Sequence, residues 1–137
     1  MSASALRTPA SGQMRIRNAE SLLKSKLRAA ALEIIEAGLG AVSPENVIDG
    51  RIGDYLPTGG GSFYVVAVGK CAAASASVLE ETLGARIAGG IVLDVAEGIS
   101  FRKLKYYQGT HPFPSSENKK ASDEIIKPVS YTHLRAH

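Results

Sequence analysis

Between Asn18 and Val42 apolar residues recur at spacings of three and four: Leu23, Leu27, Ala30, Ile34, Ala37 and Ala41. That period predicts one long amphipathic helix with a single buried stripe. Gly38 and Gly40 weaken its last turn. SPENVI then restarts the chain, with Ser43 placed to cap, Pro44 at the first helical position and Glu45 in the first turn, which predicts a short helix. Residues 49–62, DGRIGDYLPTGGGS, read as a loop or a hairpin edge.

The pattern changes at Phe63. FYVVAV, Phe63 to Val68, is nearly all apolar and rich in β-branched residues, and predicts a central strand buried on both faces. Lys70 to Leu83 follows as a helix whose Ala/Ser face lets it lie close to a sheet. GGIVLDV, Gly89 to Val95, is a second buried strand, and strand–helix–strand at this spacing implies a parallel, right-handed unit. Leu104 to Gly109 is a third, more amphipathic strand. In THPFPSSEN, Pro112 and Pro114 exclude helix, and Ser115 or Ser116 starts a last helix running to about Lys127. There is no internal repeat. The fold class is therefore α/β: a Rossmann-like, open, mainly parallel sheet flanked by helices.

Both ends depart from this pattern. Residues 1–15 are Ser/Ala-rich with no apolar core segment, and read as a disordered extension rather than a secretory signal. Residues 128–137, PVSYTHLRAH, have no periodicity, and the codons CCT GTC TCT TAT ACA CAT CTC CGA GCC CAC, similar to a transposase adapter, encode the same decapeptide. They are expected to be a non-native tail, which removes His133 and His137 from any catalytic or metal argument. Residues 16–127 form the remaining domain.

Composition narrows the function classes. A net charge of +3, with basic residues scattered apart from Arg15 to Arg28, is too small to argue for nucleic acid. No apolar run approaches the roughly 20 residues needed to span a bilayer. The one cysteine, Cys71, fits a reducing compartment, so a cytoplasmic location is expected, and among alanines it reads as a small packed apolar residue.

The chemistry gathers at the carboxyl ends of the strands, where open α/β sheets bind ligands. Gly69 and Lys70 join the first strand to its helix. A helix N-terminus favours anions, Gly69 lets a ligand approach the backbone, and Lys70 adds a full positive charge; alternatively the lysine only extends into water. Asp94, ending the second strand, could hold a metal or a ribose, or be a solvated strand end. His111, stiffened by two prolines, could hydrogen-bond a substrate or serve as acid or base, or be a turn residue. VGKC is neither a Walker loop nor G-x-G-x-x-G, and GGGS at 59–62 precedes a strand instead of following one, so it reads as a linker.

Four segments together resemble the N-terminal domain of type II glycerate 2-kinases, the family associated with a MOFRL C-terminal domain and sometimes labelled hydroxypyruvate reductase. They are LRAAALEIIEAGLGAVSPENVI, FYVVAVGKCAAASASVLEETLG, RIAGGIVL and YQGTHPFPSSEN, covering about Arg17 to Lys127. The resemblance implies transfer of the γ-phosphoryl of ATP to the 2-hydroxyl of D-glycerate, with Mg²⁺, in a cleft between two domains. Lys70 falls on the family's motif lysine, which acts on the transferring phosphoryl group, and His111 on its His-Pro motif. The chain departs from the family at Val68, where G-A-G-K is usual, and it lacks the later S-G-G-x-S loop and the C-terminal domain. It is therefore expected to be a truncated and inactive part of a two-domain enzyme. An NAD(P)-dependent hydroxypyruvate reductase and a non-catalytic nucleotide- or phosphosugar-binding module stand as alternatives. Oligomeric state is not legible in the sequence.

Overall fold

The structure, a computed structural model, describes residues 15–133. Of the expected N-terminal extension only Arg15 falls among them, and residues 134–137 of the expected tail lie outside the described residues. The chain forms two compact units, Met1–Tyr55 and Leu56–His137.

In the first unit the expected single helix is two. Helix α1, Ala19–Leu22, stops at Leu23, and α2, Lys26–Ala41, begins after Ser25. The reason is local: Ser25 is extended and its Oγ accepts from the Arg28 N–H at 3.3 Å, an N-cap that a continuous helix would forbid. The buried stripe also differs from the expected one. Leu32 is buried, whereas Leu27 and Ile34 are 81% and 73% exposed. The carboxylate of Glu36 instead holds the incoming chain, accepting the N–H groups of Arg15 and Ile16 at 3.0 and 2.6 Å. Helix α3, Pro44–Asp49, has proline at its first turn as expected, but the Ser43 side chain makes no cap bond. A short helix α4, Ile52–Tyr55, replaces the expected loop.

The second unit carries the sheet. Strands β1 (Phe63–Val68), β2 (Ile87–Asp94) and β3 (Lys105–Gln108) pair in the order β1-β2-β3, all parallel. Helix α5, Ala72–Leu83, joins β1 to β2 through one 3₁₀ turn, Gly84–Arg86. Helix α6, Ser116–His133, follows β3. It passes the expected end near Lys127: Pro128 lies inside the helix, where it forgoes one backbone hydrogen bond without ending the element.

Strand β2, not β1, is the central one, and Ile87, Ile91 and Val92 are its fully buried side chains. Helix α6 covers one face, where Ile91, Leu93, Tyr107 and Ala121 form a cluster with Ile125 packed against it. On that same face Val66 and Val68 of β1 lie beside Ile91 and Leu93, yet both are exposed, as is Tyr64. The expectation that β1 is buried on both faces is thus corrected: it is an edge strand with one covered face.

The β2–β3 connection, residues 95–104, contains no helix, although parallel strands usually need one to cross over. Glu80 of α5 stabilises this loop. Its carboxylate accepts the Arg102 and Lys103 N–H groups at 3.1 and 2.7 Å, and the Lys103 ammonium donates to the carbonyls of Gly84, Ala85 and Ile87. Burial pushes the Glu80 carboxyl up, but the two backbone N–H groups and the Arg102 charge more than offset this, so it sits below the ordinary carboxylate range. A group depressed in this way contributes stability above its unfolded pKa and loses it as pH falls through the folded value. Glu80→Gln is expected to cost about 1–3 kcal/mol at neutral pH, the worth of hydrogen bonds to a charged group. Urea unfolding should show that cost shrinking as pH falls through the lowered folded value, where the wild-type carboxylate is protonated too.

Candidate functional site

The three strands end on one side of the sheet, and their C-terminal turns enclose a cleft of about 290 Å³. All four residues singled out in the sequence line it: Gly69, Lys70, Asp94 and His111. Thr110 and Asn118 line it as well.

The β1–α5 turn is built by Gly69, whose φ of +124° lies in a region that side-chain-bearing residues rarely adopt. Its N–H donates to the Leu93 carbonyl at 3.1 Å, and its own carbonyl accepts from Ala72 at 3.1 Å. The chain can therefore leave the sheet and enter a helix within three residues. Lys70 sits at the crest of this turn, exposed, and makes no hydrogen bond or ion pair among the described residues. Cys71 is exposed at the N-cap, so the expectation of a packed thiol is corrected; its side chain makes no cap bond.

Asp94 supplies the missing cap from the neighbouring strand. One carboxylate oxygen, Oδ2, accepts the Ala73 N–H at 2.8 Å. The other, Oδ1, accepts from Val95 at 2.6 Å and Ala96 at 3.3 Å. The residue is 4% exposed, so the reading of a solvated strand end is corrected. Its carbonyl accepts the Gly109 N–H at 2.8 Å, which ties the end of β3 to the end of β2. Tyr106 closes the turn by donating its hydroxyl to the Ala96 carbonyl, and burial, then the nearby Asp94 charge, raises that phenol above its ordinary range.

The third wall is the Gly109–Ser115 loop, and its organiser is Asn118. Its Oδ1 accepts the N–H groups of Thr110 and Ser115, each at 2.9 Å, and the Ser115 hydroxyl at 2.8 Å. Its Nδ2 donates to the Thr110 carbonyl at 3.3 Å. This is one half of a capping box, with asparagine at the third helical position accepting the N-cap N–H in place of glutamate or glutamine. Ser115-x-x-Asn118 before an amphipathic helix is the sequence signal for it, absent from the expectations above because asparagine is not the usual residue there. Thr110 Oγ1 donates to the Phe113 carbonyl at 2.6 Å, and the His111–Pro112 peptide is cis. His111 is thereby presented, exposed, on a loop held at both ends, while Phe113 projects outward at 81% exposure.

Chemically, the cleft offers one unpaired ammonium and one imidazole over a backbone in which the N–H groups of Gly69, Val95, Gly109 and Thr110 are engaged. Among the described residues no group of histidine, cysteine or carboxylate side chains could hold a metal ion. Asp94, the carboxylate in the cleft, has both oxygens committed to backbone N–H groups, so this donor set does not fit Mg²⁺. No helix among the described residues is long and apolar enough to cross a membrane.

A family model described as a domain of unknown function, DUF4147, matches residues 30–135. No curated protein matches the chain. Among solved structures, a glycerate kinase from Thermotoga maritima matches with a TM-score of 0.64 and 26% identity, over 75% of this chain and 25% of that one. This chain thus spans about a quarter of the length of the structure it matches.

Proposed function

We propose, from the premise that this chain belongs to the DUF4147 family and is related to the glycerate kinases, that it supplies one wall of a site transferring a phosphoryl group from ATP to D-glycerate. The observation that carries the reading is Lys70: an exposed ammonium without an ion-pair partner, held at the mouth of a cleft by a glycine-dependent turn. In phosphoryl transfer the protein contributes chiefly position and positive charge, so a fixed, unpaired cation is the part such a site most needs.

In the proposed reaction the 2-hydroxyl oxygen of D-glycerate bonds to the γ-phosphorus, the bond from that phosphorus to the bridging oxygen breaks, ADP leaves, and the hydroxyl proton is released. Lys70 neutralises the non-bridging oxygens. His111, across the cleft, hydrogen-bonds the acceptor. Gly69 fixes the Lys70 backbone, and Asp94 fixes the turn beneath it. Mg²⁺, when bound to the nucleotide, supplies charge neutralisation from groups other than those described, and no step is assigned to it. With one cation and one imidazole, this chain alone is expected to show no glycerate-dependent ATP turnover.

The test is a titration of the ¹⁵N-labelled chain with ATP, D-glycerate and NADH in separate runs. ATP and D-glycerate should move the amides of residues 69–71 and 109–111, and NADH should leave them in place. A response to NADH alone would favour the reductase reading, and no response to ATP or D-glycerate would remove the kinase one.

A further inference from the structure

We infer that Asp94 is a positioning residue that occupies the anion seat at the Ala73 N–H of helix α5 and so moves the phosphoryl seat outward, onto Lys70 on the side facing His111. The inference rests on the function proposed above and changes where the anion sits within it.

A helix N-terminus binds phosphate through free N–H groups and the positive end of its dipole. In α5 the first two of those groups are taken. The Ala72 N–H donates to the Gly69 carbonyl, and the Ala73 N–H donates to Asp94 Oδ2 at 2.8 Å. The Gly69 N–H, before the turn, is paired with Leu93, which leaves the N–H groups of Lys70 and Cys71 as the unbonded donors outward of Ala72 among the described residues. A buried carboxylate therefore stands where a phosphate would stand in a glycine-rich loop. It enters from β2, not from the helix's own N-cap, because Cys71 at that position makes no cap bond.

Two consequences follow. First, Asp94 Oδ1 is filled by Val95 and Ala96, and Oδ2, held by Ala73, keeps a single lone pair, too little on its own to hold a cation. Second, Asp94 couples three strand ends, two through its carboxylate and the third through its backbone carbonyl. It fixes α5 through its side chain, its own turn through Oδ1, and the start of the His111 loop through its carbonyl to Gly109. Removing the carboxylate should open the Ala73 N–H to anions and loosen the turn beneath Lys70, while the backbone bond that holds Gly109 and the His111 loop remains.

The experiment follows backbone amides of the ¹⁵N-labelled chain during titration with inorganic phosphate, and separately with Mn²⁺. In the wild type, phosphate should shift Lys70, Thr110 and His111 and leave Ala73 in place, and Mn²⁺ should not broaden Val95 and Ala96 selectively. In Asp94→Ala the phosphate shifts should migrate onto Ala73 and Ala96, and added formate, filling the vacated position, should return them to the wild-type pattern. A residue with only a structural role would produce no such migration. If the alanine variant does not fold, Asp94→Asn serves. It should lower phosphate affinity at Lys70 about fivefold, the worth of one hydrogen bond. Wild-type phosphate shifts centred on Ala73, or Mn²⁺ broadening at Val95 and Ala96, would overturn this inference and leave the kinase reading standing. Absence of phosphate shifts at every residue would overturn both.

Discussion

Gly90→Ala should lower the stability of the sheet unit by about 3 kcal/mol or more, at the upper end of what overpacking usually costs. A Cβ at this position would lie 2.3 Å from the Val65 carbonyl oxygen and 2.8 Å from Leu104 Cδ2. The first neighbour is backbone of the adjacent strand, which cannot rotate away. To admit the methyl group, β1 must separate from β2 or shift its register, and the turn carrying Lys70 begins one residue beyond β1. Gly89→Ala is the matched control. Its Cβ would meet only the Tyr64 ring, at 3.7 Å, which is ordinary contact. The control should fall within about 0.5 kcal/mol of wild type or gain slightly from the strand's preference for a side chain. Urea unfolding should show the midpoint dropping for the first variant alone, with the slope unchanged.

Lys70→Met should reduce the affinity of the chain for ATP at least about tenfold, because it removes a hydrogen bond to a charged group worth roughly 1.5–3 kcal/mol. Methionine keeps most of the linear stem, so the change tests charge rather than shape. Stability should remain within about 0.5 kcal/mol of wild type, since Lys70 is exposed and makes no bond that folding depends on. Lys70→Arg should recover part of the loss, because the charge is restored while the fork geometry of guanidinium differs from that of an ammonium. Calorimetric titration with ATP measures all three. Equal affinity for wild type and the methionine variant would mean that the ammonium meets only water.

The sequence was most informative where one element decides its own structure. The β1–β2–β3 segments and α5 appear within two or three residues of their expected positions, because long apolar runs bounded by glycine and proline have few alternatives. It was least informative where a partner decides. The stripe on α2 was read from spacing, but Leu32 rather than Leu27 or Ile34 is buried, because several apolar positions surround the helix and packing selects among them. Edge against centre could not be read for β1, since an exposed Val66 and a buried one look alike in text. The site shows the same division. Gly69, Lys70 and His111 stood out through unusual placement beside strands, and they do line one cleft. Asp94 stands out in the sequence only as a strand end, because its bond to Ala73 spans 21 residues and no local pattern announces it. Asn118 was missed although its partner Ser115 lies three residues away, because asparagine is not the usual residue of a capping box.

The most direct measurement is a crystal structure of this chain grown with tungstate, a heavy phosphate analogue visible by its anomalous signal. An anion is expected at hydrogen-bond distance from the Lys70 ammonium, between the β1–α5 turn and the Thr110–His111 turn, with Asp94 still bonded to Ala73. An empty cleft beside a lysine directed into solvent, with the anion bound elsewhere on the molecule, would contradict it.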